Sequence, residues 1–94
     1  MEIEKLIKEN KGTIVDVRTR AEYSSGHVAG SVNIPLNEIP LRMDELESMN
    51  GPLILCCASG MRSSQAENYL SRQGMECLNG GSWLEVNYLQ SKSA

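Results

Sequence analysis

The segment Leu53-Ile54-Leu55-Cys56-Cys57-Ala58-Ser59-Gly60-Met61-Arg62-Ser63-Ser64 places two cysteines, one arginine and three serines within twelve positions. Its first four residues form a continuous apolar run, the pattern of a strand buried in the middle of a parallel sheet. The periodic stretch from about Arg62 to Arg72 predicts a helix, so the intervening residues form a short strand-to-helix loop. Open α/β sheets bind ligands at such a place. Loop amides and the first free N–H groups of the helix converge there into an anion cradle. A cysteine at the strand's end sits in that cradle, with Arg62 at its far end, and the thiolate is favoured over the thiol. A free thiol titrates at about 8.5. Lowering it to about 6.5 takes roughly 2.7 kcal/mol of preference for the anion. A helix end supplies about 0.3–1 kcal/mol, and up to about 2 when partly buried. Several charge-assisted hydrogen bonds from loop N–H groups can add the remainder. The chemistry is that of an activated sulfur nucleophile inside a ring of anion-binding groups.

Stepping outward, the elements that must hold this loop alternate between strand and helix. Ile3, Leu6 and Ile7 recur at helical spacing, predicting a helix over 2–10 that ends near Gly12. Thr13–Val17 is a β-branched strand with Asp16 inside it, and residues 18–30 form a polar loop with one helical turn. Ser31–Ile34 is a short strand stopped by Pro35. Asn37 is placed to cap a helix over 38–49 with Ile39, Met43 and Leu46 on one face, broken by Asn50-Gly51-Pro52. After the helix at 62–72, whose inner face carries Ala66, Tyr69 and Leu70, Gly74 provides the stop. A strand over 75–78 follows, then a turn at Gly80-Gly81 and a terminal helix with Trp83, Leu84 and Tyr88 inward. The alternation predicts an α/β fold built on a parallel sheet.

Composition narrows the partners. The chain has 94 residues, enough for one small domain over 1–94. A net charge of −3 with no basic run argues against nucleic acid, whose binding rests on clustered phosphate contacts. No stretch approaches the roughly 20 apolar residues of a membrane span. Three cysteines, Cys56, Cys57 and Cys77, are too few and too irregular for a disulfide framework. With no apolar signal core at the N-terminus, the expectation is a reduced, soluble, cytoplasmic domain. With no Phe and one Trp, aliphatic side chains must fill the core.

The loop Cys57-Ala58-Ser59-Gly60-Met61-Arg62-Ser63 resembles the C-x-x-G-x-R-S active-site loop of single-domain rhodaneses. Upstream, Asp16-Val17-Arg18, Glu22-Tyr23 and Gly26-His27-Val28-Ala29-Gly30-Ser31-Val32-Asn33-Ile34-Pro35 resemble that family's D-V-R, E-[FY] and G-H-I-x-G-A-x-N-I-P signatures. Asn79-Gly80-Gly81 is a third match, and the three run in order from residue 14 to about 86. The family often carries a Trp about four residues after its glycine pair, where this chain has Glu85-Val86; Trp83 lies closer.

The resemblance implies a rhodanese-like three-layer domain, with a central, mostly parallel sheet of about five short strands flanked by helices. It implies a thiosulfate sulfurtransferase, which takes the outer sulfur of thiosulfate or a similar donor as a cysteine persulfide. The sulfur then passes to a thiol, cyanide or a protein acceptor. Cys57 would be nucleophile and carrier, and Arg62 would orient the loop or pair with the donor's charge. The backbone of Ala58, Ser59, Gly60, Met61 and Ser63 would hold the sulfur species. Neither metal nor organic cofactor is implied.

Other readings stand beside this one. Cys56 to Arg62 also reads as C-x5-R, the register of a phosphatase or arsenate reductase on the same fold, with Cys56 as nucleophile. Gly60 fits the register that starts at Cys57, three residues before it, and no aspartic general acid accompanies the longer one. A non-catalytic binding module of this family is a third reading, though such modules commonly lose the cysteine that this chain keeps. Cys56 and Cys77 are otherwise expected in the core, Cys77 having a resolving thiol or second persulfide site as its alternative. His27 is expected as a turn residue bonded to backbone rather than as a base for the cysteine. Asp16, Arg18 and Glu22 are expected to form a structural ion pair centred on Arg18.

Overall fold

The computed structural model describes residues 2–92. Its elements are helix α1 (Glu2–Lys8), strand β1 (Thr13–Asp16), helix α2 (Arg20–Ser24), strand β2 (Val32–Asn33), a 3-10 helix (Leu36–Leu41), helix α3 (Met43–Glu47), strand β3 (Leu53–Cys57), helix α4 (Met61–Arg72), strand β4 (Cys77–Ser82) and helix α5 (Trp83–Lys92). The strands form one sheet in the order β2-β1-β3-β4, every pairing parallel. Among the described residues the sheet has four strands where about five were expected.

Strand alternation sends the central side chains into two separate cores. Val15, Leu53, Leu55 and Cys57 face one way, packing with Ile39, Leu46, Ala66 and Leu70 from the 3-10 helix, α3 and α4. Ile54 and Cys56 face the other way, against Ile7 of α1 and Val86 of α5. The result is a three-layer α/β domain. Cys56 and Cys57, adjacent on β3, therefore send their side chains into different cores.

Four expectations are corrected. The single helix over 38–49 is instead a 3-10 helix followed by the short α3, and Asn37 lies inside the first rather than capping it. Pro40 sits within that stretch, where a missing N–H and the ring's bulk oppose α-helical continuation. Strand β4 begins at Cys77 and runs through Gly80-Gly81 instead of turning there. Its register shifts between Leu55, opposite Asn79, and Cys56, opposite Gly81, so Gly80 is one extra residue on that strand. A Cβ at Gly80 would lie 2.9 Å from Val86 and 3.1 Å from both Ile54 and the Leu55 carbonyl, so the bulge passes where only glycine fits. On α5 the inward positions are Trp83, Val86 and Leu89, three residues apart, which leaves Leu84 and Tyr88 exposed. Tyr69 of α4 likewise lies at the surface, while Ala66 and Leu70 are buried as expected.

Candidate active site

Three residues, 58–60, connect β3 to α4, and Cys57 closes the strand with its side chain buried beneath them. Gly60 turns the loop with φ +99°, a left-handed conformation that costs a side-chain-bearing residue strain, and starts α4. That turn aims the Gly60 N–H at Cys57 Sγ, 3.0 Å away, and the first turn of α4 brings the Ser63 N–H to 3.4 Å. Ser63 Oγ lies 3.4 Å from the same sulfur. Burial pushes the Cys57 thiol up, but the Ser63 hydroxyl and the N–H groups of Ser63, Gly60 and Ser59 together outweigh it. The balance lies below the ordinary thiol value. Of the five loop residues expected to hold the sulfur group, Ser59, Gly60 and Ser63 direct donors at Sγ.

The other cysteines occupy different chemistry. Burial pushes the Cys56 thiol up to about 12, and the neighbouring Asp16 adds to the rise. Cys77 stands opposite Leu53, at the far end of β3, and its sulfur lies 3.5 Å from Ser71 Oγ and 3.7 Å from the Glu67 carbonyl. Four residues of strand separate that level from Cys57, about 13 Å. Burial raises Cys77 as well. Cys57 is the one cysteine of the three whose thiolate is favoured.

Arg62 does not stand free at the mouth of the cradle. Its guanidinium donates to both carboxylate oxygens of Glu22, at 2.7 and 2.9 Å, a bidentate pair between α4 and α2. Glu22 also closes a capping box with Thr19, accepting from the Thr19 N–H at 3.0 Å while Thr19 Oγ accepts from the Glu22 N–H. Arg62, and then the Thr19 N–H, hold the Glu22 carboxyl down to about 2. The Thr19-x-x-Glu22 spacing signals that cap in the sequence, but nothing in it points to the partner 40 positions away.

The carboxylate of Arg18 is Asp16. Three Arg18 N–H groups reach it at 2.7–3.0 Å with both residues buried, and the guanidinium donates further to the carbonyls of Gly26 and Glu22. His27 donates its Nδ1–H to the Tyr23 carbonyl at 2.7 Å and stacks on the Tyr23 ring, the turn role expected of it. Asn79 escaped the sequence reading as a site residue. It lies opposite Leu55, on the α4 side of the sheet, and bonds the end of the loop and the first turn of α4: the Gly60 carbonyl and Ser63 Oγ. No cluster of metal-ligating side chains occurs among the described residues, and no helix there is long and apolar enough to cross a membrane.

Residues 1–84 match the Rhodanese-like domain family. A protein named sulfurtransferase from Allochromatium vinosum is 39% identical over 61 residues, 65% of this chain and 56% of that protein. The thiosulfate sulfurtransferase GlpE of Shewanella oneidensis is 34% identical over 79 residues, covering 79% of this chain and 77% of that one. The crystal structure of a rhodanese-like domain protein from Staphylococcus aureus superposes with a TM-score of 0.73 at 31% identity, over 92% of this chain and 84% of that chain. Against two further curated relatives, both from Bacillus subtilis, the chain spans 39% and 50% of their length. With its family match, its parallel sheet and its sulfurtransferase relatives, the chain belongs to the rhodanese-like family.

Proposed function

We propose that this protein is a sulfurtransferase that carries sulfane sulfur as a persulfide on Cys57. The observation that carries the reading is the convergence of the Gly60 and Ser63 N–H groups on a sulfur whose thiolate is favoured. With thiosulfate as donor, the Cys57 thiolate attacks the outer sulfur. The new S–S bond forms as the bond to the sulfonate sulfur breaks, and sulfite leaves with that electron pair. The donors that held the thiolate then hold the persulfide. In the second half-reaction a thiolate, cyanide or the thiol of an acceptor protein attacks the terminal sulfur, and Cys57 returns as thiolate. Arg62 serves here as a positioning residue: its bond to Glu22 ties the start of α4 to α2 and fixes where the loop's donors point. Three free cysteines suit a reducing compartment, and we assign the protein to the cytoplasm on that ground.

The test separates Cys57 from Cys56. Incubation with thiosulfate should add the mass of one sulfur atom, removable by cyanide. C57S should abolish both adduct and turnover, and C56S should retain both. The rival register, a phosphatase or arsenate reductase working through Cys56, predicts the reverse; a Cys56 thiol at about 12, packed among Ile7, Ile54 and Val86, is poorly suited to it. An intact C57S turnover would sink the proposal.

A further inference from the structure

Ser63 has a single hydroxyl proton and two neighbours that can accept it. Asn79 Oδ1 lies 2.7 Å from Ser63 Oγ, and Cys57 Sγ lies 3.4 Å away on another side. The Asn79 amide has a fixed orientation. Its Nδ2 donates to the Gly60 carbonyl at 3.2 Å, and its Oδ1 accepts the Gly81 N–H at 2.9 Å. Flipping the amide would set an N–H against an N–H and an oxygen against an oxygen. An amide oxygen therefore faces Ser63, and a hydrogen bond between two oxygens needs a proton that only Ser63 can supply. With that proton directed at Asn79, Ser63 offers Cys57 a lone pair. This arrangement suits a thiol, which can donate its S–H, and opposes a thiolate.

We propose that Asn79 is a positioning residue for the sulfur chemistry, competing with Cys57 for the Ser63 hydroxyl proton and thereby setting how readily the thiolate forms. When Cys57 loses its proton to solvent, the Ser63 hydroxyl rotates about its Cβ–Oγ bond and donates to Sγ, while Asn79 Oδ1 keeps the Gly81 N–H. When an outer sulfur is attached and charge moves to it, the inner sulfur's claim weakens and the proton returns to Asn79. No bond to a heavy atom forms or breaks in either turn. The hydroxyl is thus a two-position rotor that follows the charge state of Cys57. The sulfur-loaded half of this cycle rests on the proposed persulfide; the thiol half does not.

The charged group coupled to Cys57 is Arg62 of α4, paired with Glu22 of α2, and the Asp16–Arg18 pair lies at the end of the neighbouring β1. Cys56, next along β3, completes the set. All are common to the variants compared below, so they cancel in the difference between them.

The test is a double-mutant cycle in N79A, S63A and the double variant, reading the apparent pKa of Cys57 from the pH dependence of its alkylation by iodoacetamide. N79A also releases the Gly60 carbonyl, and its effect in the S63A background isolates that loosening. With Ser63 present, N79A additionally frees the hydroxyl for the thiolate. Its shift should therefore fall below the shift in the S63A background by about half a pH unit or more, roughly threefold in thiolate fraction. Additive shifts, or a coupling of opposite sign, would overturn the assignment. Should N79A fail to fold, NMR decides in the unmodified chain: the Asn79 side-chain amide and the Gly81 N–H should move together through the thiol titration and do so much less in S63A. Unmoved resonances, or equal movement in S63A, would reject the rotor. Both readouts follow the thiol rather than sulfur transfer, so a failed rotor leaves the proposed function standing, and an absent turnover leaves the rotor testable.

Discussion

At the level of single residues the charge at the site is balanced rather than positive. Arg62 commits one N–H from each terminal nitrogen to Glu22, so an incoming anion would meet a neutralised pair and a set of backbone N–H groups. Removing only the arginine leaves Glu22 unpaired beside the cradle, where it repels an anionic donor and loosens α2 from α4. R62A should lower kcat/KM for thiosulfate about tenfold, roughly 1.4 kcal/mol of transition-state stabilisation. Adding E22Q to R62A should restore part of the loss, because it removes the stranded charge. Equal kinetics in R62A and the parent would take Arg62 out of the mechanism. The pair also gives an acid signature. The folded Glu22 carboxyl is held down to about 2, from an ordinary value near 4.5. Its contribution to stability is therefore fully present above about pH 4.5 and is lost as the pH falls toward 2. Thermal melts between pH 6 and 2 should show that decline, and E22Q should flatten it. The place of the loop between β3 and α4 was legible from Cys57, Gly60 and Arg62 in sequence order. Glu22 and Asn79 were not, because each acts through a partner that only folding brings near.

Among the elements, two glycines carry the geometry and do so differently. Gly60 needs its left-handed φ, and its missing Cβ would stand 3.4 Å from Gly81 Cα, a tight but survivable approach. G60V should therefore cost far more turnover than stability, by turning the N–H of residue 60 away from Sγ. A melting temperature that falls in step with activity would give Gly60 a packing role instead. Gly80 lacks room rather than conformational freedom, since a Cβ would press on Val86, Ile54 and the Leu55 carbonyl together. G80A should destabilise by about 1–3 kcal/mol in urea titrations, the range for an overpacked core. The strands β1 and β3 were legible from their β-branched and apolar runs, and α4 from its periodicity and glycine stop. The bulge on β4 was not. A glycine pair signals a turn as readily as a close backbone approach, and only the packing of α5 distinguishes them. Pro40 was legible as a helix breaker, but the apolar spacing of Ile39, Met43 and Leu46 masked it.

At the scale of the whole molecule, chain order decides where the site lies. From β1 the chain passes outward to β2, and from β3 it passes to β4 on the other side, so the strand order reverses between β1 and β3. The carboxyl ends of those two strands are Asp16 and Cys57, and the crevice beyond them is the ligand position expected of such sheets. Asp16 and Arg18 hold that crevice together. Arg18 binds the buried carboxylate, the carbonyls of Glu22 and Gly26, and stacks over Trp83 of α5 with 4.7 Å to the ring centroid. It thereby joins β1, α2, the following loop and the last helix. R18A would leave Asp16 buried without its countercharge, an imbalance worth about 3–5 kcal/mol. That is a large share of the roughly 5–14 kcal/mol available to a chain of this length. D16L/R18M removes both charges and should recover part of the loss, though not all, because the Glu22 and Gly26 carbonyls still lose their donor. Trp83 is the only tryptophan, so its fluorescence reports the same event: R18A should shift its emission to longer wavelength as the ring loses its stacked cation and meets water. A change below about 1 kcal/mol in urea, with Trp83 emission unaltered, would mean that the crevice is held by its hydrophobic layers alone and that the buried pair is incidental.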